Sequence, residues 1–107
     1  MKKTTETISP EGVFQVIDSF AIRKRSQFYL IGKLTKGEIK KEWFVNIGLN
    51  EGLAITVRIN DIEEIEMASE KDTHTLIIID CDETTIDLLL GLNIGLEYLP
   101  ITIDGKD

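Results

Sequence analysis

The chain has 107 residues, 42% of them apolar and 29% charged, with a net charge of -7. Such a size and balance predict one soluble globular domain with a core large enough to need no covalent staple. The single cysteine, Cys81, excludes an intramolecular disulfide. No apolar run approaches the roughly 18 residues of a membrane-spanning helix, and the polar opening Met1-Lys2-Lys3-Thr4-Thr5-Glu6-Thr7 lacks the apolar stretch of a secretory signal. The expectation is a cytoplasmic protein without membrane contact.

Charge divides unevenly. Residues 1–60 carry ten Lys/Arg and six Asp/Glu, whereas residues 61–107 carry two Lys/Arg and thirteen Asp/Glu. The acidic total opposes general phosphate-backbone binding, which rests on many basic contacts. A local basic patch has to come from the first half.

The hydrophobic periodicity is that of strands. Phe14, Val16, Phe20 and Ile22 share one parity, with Asp18 interrupting. Phe28, Leu30 and Leu34 share another run, and Trp43, Val45 and Ile47 a third. Ile55, Val57 and Ile59 alternate with Thr56, Arg58 and Asn60. Thr75–Ile79 is a β-branched run suited to a strand buried on both faces. Leu99, Ile101 and Ile103 alternate with Thr102 and Asp104 at the end. Lys36-Gly37-Glu38, Gly48 to Gly52 and Glu70-Lys71-Asp72 punctuate these runs as turns. Asp61–Met67 suits either a strand end or a helical turn. Thr84–Leu90 reads as a short helix capped by Thr84 and stopped by Gly91. Residues 1–9 are expected to be flexible, with one domain over 10–104.

Six or more short strands with polar turns predict an all-β antiparallel barrel or sandwich. At Asp18-Ser19-Phe20-Ala21-Ile22, Gly32-Lys33-Leu34, Gly37-Glu38-Ile39-Lys40, Ile59-Asn60-Asp61-Ile62-Glu63 and Asp87-Leu88-Leu89-Leu90-Gly91-Leu92-Asn93-Ile94-Gly95 the chain resembles the second domain of translational GTPases such as elongation factor Tu. The resemblance implies a small closed or partly open antiparallel β-barrel. It also implies a contact role toward a nucleotide domain, a ribosome or tRNA. The chain departs from the family at Arg23-Lys24-Arg25-Ser26, Glu42 and Leu92. It contains no phosphate loop, so no GTP binding is expected.

Chemistry-bearing residues are sparse. His74 is the only histidine and lies seven residues from Cys81 on one strand run, about 20 Å away at strand rise. A dyad is therefore not expected at this spacing. Acidic neighbours Asp80, Asp82 and Glu83 raise the Cys81 thiol's pKa and disfavour a reactive thiolate. Asp61, Glu63, Glu64 and Glu66 read as a solvated acidic face, and no metal or other cofactor is expected. Arg23-Lys24-Arg25 is the one dense basic cluster. With Lys33, Lys40 and Lys41 it forms the expected partner-binding surface, a basic hairpin face over Lys33–Lys41 contacting protein or RNA. Tyr29 is an outward stacking candidate. Trp43 is expected in the core and Phe44 exposed or covered by a partner. The resulting expectation is a non-catalytic binding module. The alternative is an inhibitor- or immunity-type protein using the acidic half.

Overall fold

In the computed structural model the described residues are 10–50, 53–66 and 73–103. The expected flexible segment 1–9, the Glu70-Lys71-Asp72 turn and the last residue of the final alternation, Asp104, lie outside them. Among these residues seven strands and one helix follow in order: β1 Gly12–Ile22, β2 Gln27–Gly37, β3 Phe44–Asn50, β4 Leu53–Arg58, β5 Asp61–Glu66, β6 Thr73–Asp80, α1 Glu83–Gly91 and β7 Tyr98–Thr102. A one-turn 3-10 helix, Arg23–Arg25, joins β1 to β2. Asp61–Glu66 is thus strand and not a helical turn. No helix among the described residues is long and apolar enough to cross a membrane.

The strands form one antiparallel sheet in the order β4-β3-β7-β1-β2-β6-β5. This order corrects the expected closed or partly open barrel. It has two ends, and among the described residues no ladder joins β4 to β5, so the fold is an open antiparallel sheet with one helix. The end strands are consecutive in sequence, linked by Ile59 and Asn60. Ile59 N donates to Trp43 O at 2.7 Å and Asn60 N to Ile78 O at 2.8 Å, which ties the link to β6 and to the start of β3. The expected hairpin over Lys33–Lys41 is also corrected. β2 pairs with β1 and β6, whereas β3 pairs with β4 and β7.

The core gathers one side of the sheet: Phe14 and Val16 of β1, Phe28 and Leu30 of β2, Val45 and Ile47 of β3, Ile77 and Ile79 of β6, Leu99 and Ile101 of β7. Trp43 packs against this core as its parity predicts. Leu89 of α1 and Ile94 beyond it join the same cluster. Ile78 is buried on the opposite side, so β6 is covered on both faces, as its continuous β-branched run requires.

One feature of β1 reverses the simple parity. Val16 stands opposite Gly32 and Asp18 opposite Ile31, so Ile17 is an extra residue. A bulge of this kind flips the side chains that follow it. Ser19 and Ala21 therefore face the core side opposite Leu30 and Phe28, and Phe20 and Ile22 turn to the other side. Phe14 and Phe20, expected on one face, stand on opposite faces. Phe44 is corrected too: it is buried, with the Arg58 guanidinium 4.7 Å from its ring centroid. A cation stacked on an aromatic face shields it from water without a partner protein.

α1 begins at Glu83, capped by Asp82 and not by Thr84. Asp82 Oδ1 accepts from Thr85 N at 2.8 Å, satisfying one of the first-turn amides that have no intrahelical partner. Gly91 is the last helical residue, and the left-handed conformation beyond it falls to Asn93, at φ 52°. The Thr85 amide, then its hydroxyl, hold the Asp82 carboxyl below its ordinary value of 3.8. A carboxyl lowered in the folded state stabilises above its unfolded pKa and loses that contribution as pH falls through the lowered value. Asp82→Asn keeps an oxygen acceptor but cannot titrate. Thermal melts should place wild type above this variant at pH 7, with the two converging on acidification below pH 3.8. A gap independent of pH would show that the carboxylate does not act as the cap.

Candidate functional site

The side of the sheet away from the core carries two rows across β1, β2, β6 and β5. In the first, Phe20 stands opposite Tyr29, Tyr29 opposite Ile78 and Ile78 opposite Asp61. In the second, Asp18, Ile31, Leu76 and Glu63 follow in the same way. The Phe20 and Tyr29 rings stack with centroids 4.8 Å apart and planes 10° from parallel. Tyr29 and Ile78 are buried, whereas Phe20 is 37% and Ile22 36% exposed. Together they floor a groove of about 390 Å³, open to solvent and also lined by Arg25, Gln27, Asn60, Asp61 and Glu63.

Side-chain hydrogen bonds fix the floor. Tyr29 Oη donates to Gln27 Oε1, and Gln27 Nε2 donates to Asp80 Oδ1 at 2.9 Å. This chain spans β2 and β6 and holds the phenol end of Tyr29, so its ring stays under Phe20. Such rigid aromatic surface is what contact sites use, because it loses little entropy on binding.

The basic residues expected to form one surface sit on different elements and have different neighbours. Arg23 is turned to the helix, with Nη2 2.8 Å from Asp87 Oδ1 and Nη1 3.4 Å from Glu83 Oε1. The Asp87 hydrogen bond and charge raise its pKa further. Arg23 thus links the β1–β2 turn to α1, a contact across more than sixty residues. Lys24 is exposed in the same turn, and Arg25 lines the groove. Lys33 lies along β2 opposite Gln15. Lys40 lies 5.7 Å from the Trp43 ring centroid and 4.0 Å from Glu38. Lys41 Nζ is 3.7 Å from Asp61 Oδ1. Of the six, Arg25 lines the groove and Lys41 reaches one residue of its lining, Asp61.

His74 and Cys81 are kept apart on β6 and beyond its end, as their spacing predicts. His74 is buried on the groove side of the sheet, opposite Ile65. Burial pushes the Cys81 thiol up, and the charges of Asp82 and Asp80 push it the same way. Iodoacetamide at neutral pH should therefore alkylate native Cys81 more slowly than free cysteine, with the difference lost in denaturant. Alkylation faster than free cysteine would contradict this environment. Among the described residues, no three His, Cys, Asp or Glu side chains converge as a metal site would require.

Comparison with protein-family models, curated proteins and solved structures finds no match. With the open strand order, this overturns the resemblance to the second domain of translational GTPases and the translation-linked role it implied. Four of the matching fragments are strand and turn residues that any twisted antiparallel sheet uses, and the fifth, from Asp87 to Gly95, begins in helix α1 and not in a barrel loop.

Of the groove's lining, the sequence singles out Arg25 and Tyr29 as contact candidates and Asp61 and Glu63 as a solvated acidic face, but not the aromatic stack that brings them together. Its one legible signal was Asp18 breaking the Phe14–Ile22 alternation, which marks the neighbourhood of the bulge.

Proposed function

We propose that this domain is a non-catalytic contact module for another protein, and that it makes contact through the groove over Phe20, Tyr29 and Ile78. The observation that carries the reading is the stacked Phe20–Tyr29 pair, held by Gln27 and Asp80 and left partly open to water. Aromatic side chains in a desolvated centre with a polar rim are the usual energetic focus of protein interfaces. Phosphate-rich RNA is disfavoured, because Asp61 and Glu63 line the groove and Arg23 is already engaged by two carboxylates. The reading is non-catalytic because the buried His74 and the acid-flanked Cys81 provide no nucleophile–base pair.

The test is site-specific photocrosslinking in lysate of the source cell. A photoreactive residue at Phe20 should give a discrete protein adduct, competed by unlabelled wild type and not by Phe20→Ser. The same residue at Leu88, which is 42% exposed on α1, should give none. Equal adducts at both positions, or none at either, would overturn the proposal.

A further inference from the structure

The charges around the groove specify what kind of segment fits it, an inference that rests on the contact role just proposed. The two rows end on β5 in Asp61 and Glu63, so two carboxylates stand on one wall, against a single cation, Arg25, among the described lining residues. β5 carries Asp61, Glu63, Glu64 and Glu66 among its six residues and no Lys or Arg. Asp61 is met by Lys41 at 3.7 Å, with both side chains well exposed, and such a pair is weak and readily exchanged. Glu63 is exposed at the same wall. The floor beside these carboxylates is aromatic and aliphatic, through Phe20, Tyr29, Leu76 and Ile78.

We infer that the groove takes a partner segment in which an apolar side chain is flanked by Lys or Arg. The apolar side chain lies on the Phe20–Tyr29 stack, and the cation exchanges with Lys41 or pairs with Glu63. A groove open to solvent suits a segment of chain better than an enclosed small molecule. A second copy of this chain is disfavoured as occupant, since each carries a net charge of -7 and like charges oppose face-to-face association.

The test uses the full chain, 15N-labelled, titrated with three nonapeptides. One alternates lysine and leucine, one glutamate and leucine, one lysine and serine. The lysine–leucine peptide should bind at least about tenfold more tightly than either other, since only it offers both the apolar and the cationic contact. Its shifts should centre on the amides of Phe20, Tyr29 and Ile78. Glu63→Lys, an exposed substitution that leaves the fold intact, should weaken that peptide by about fivefold or more and improve the glutamate–leucine one. Phe20→Ser should remove binding of the lysine–leucine peptide. Equal affinity for the glutamate–leucine peptide at the same amides overturns the charge preference and leaves the contact groove standing. Shifts elsewhere, or no binding by any peptide, overturn the preference, and with the crosslinking result decide the groove separately. A concentration-dependent dimer in sedimentation that protects Phe20 also overturns it, in favour of self-association.

Discussion

Gly32→Ala should lower the melting temperature by roughly 12–24 °C, as overpacking against a rigid neighbour costs about 3 kcal/mol and each kcal/mol is worth about 4–8 °C in a domain of this size. A Cβ at Gly32 would lie 1.9 Å from Gln15 O, 2.9 Å from Gln15 C and 3.0 Å from Phe14 Cε2. Two of these atoms are backbone in the middle of a ladder, so no rotamer change relieves the clash. The approach is close because Gly32 sits opposite Val16, where the bulge at Ile17 draws β1 over β2. Gly48→Ala is the control. Among the described residues nothing lies within 4 Å of its Cβ position, so that substitution should be neutral or slightly stabilising through the unfolded chain. Circular-dichroism melts of the two variants provide the comparison. Equal melting temperatures would mean that β1 and β2 do not approach as described.

Phe14→Ala and Phe20→Ala should differ sharply although the two residues share parity. Phe14 is fully buried in the core, where loss of a phenyl group costs about 3–5 kcal/mol through lost transfer energy and the cavity left behind. Phe20 is 37% exposed and outside the core cluster, so its truncation should cost about 1 kcal/mol, mostly from the stack on Tyr29. Denaturant titration with matched m-values checks this. Similar losses at both positions would place them on one face, and would remove both the bulge and the groove from the account.

The contrast shows what could be read from the chain alone. Strands were legible wherever alternation was clean, as in Ile55, Val57 and Ile59, and the short helix near Thr84–Leu90 was visible from its cap-like start. The inserted residue Ile17 was not, because a bulge changes facing without changing composition. The same blindness put Phe20 with Phe14. Pairing order was also hidden. Lys36-Gly37-Glu38 looks like a hairpin turn, yet β2 and β3 are not neighbours, and the choice between partners is made by the whole sheet. The basic cluster was legible as a cluster. The acids that engage Arg23 and Lys41 were not legible, because Asp87 and Asp61 are distant in sequence and meet them only in the fold. The family resemblance failed for a related reason: most of its fragments record turns and strands, which sheets of different order share, and the last begins in α1.

Hydroxyl-radical footprinting of the wild-type protein tests the central claim most directly, since the groove requires Phe20 to reach water. The chain has four phenylalanines, of which Phe14 and Phe28 are fully buried, Phe44 is 4% exposed and Phe20 is 37% exposed. Mass spectrometry of the native protein should find Phe20 oxidised and the other three protected, with all four oxidised alike in denaturant. Protection of Phe20 to the level of Phe14 would contradict the bulge, the outer aromatic stack and the contact surface together.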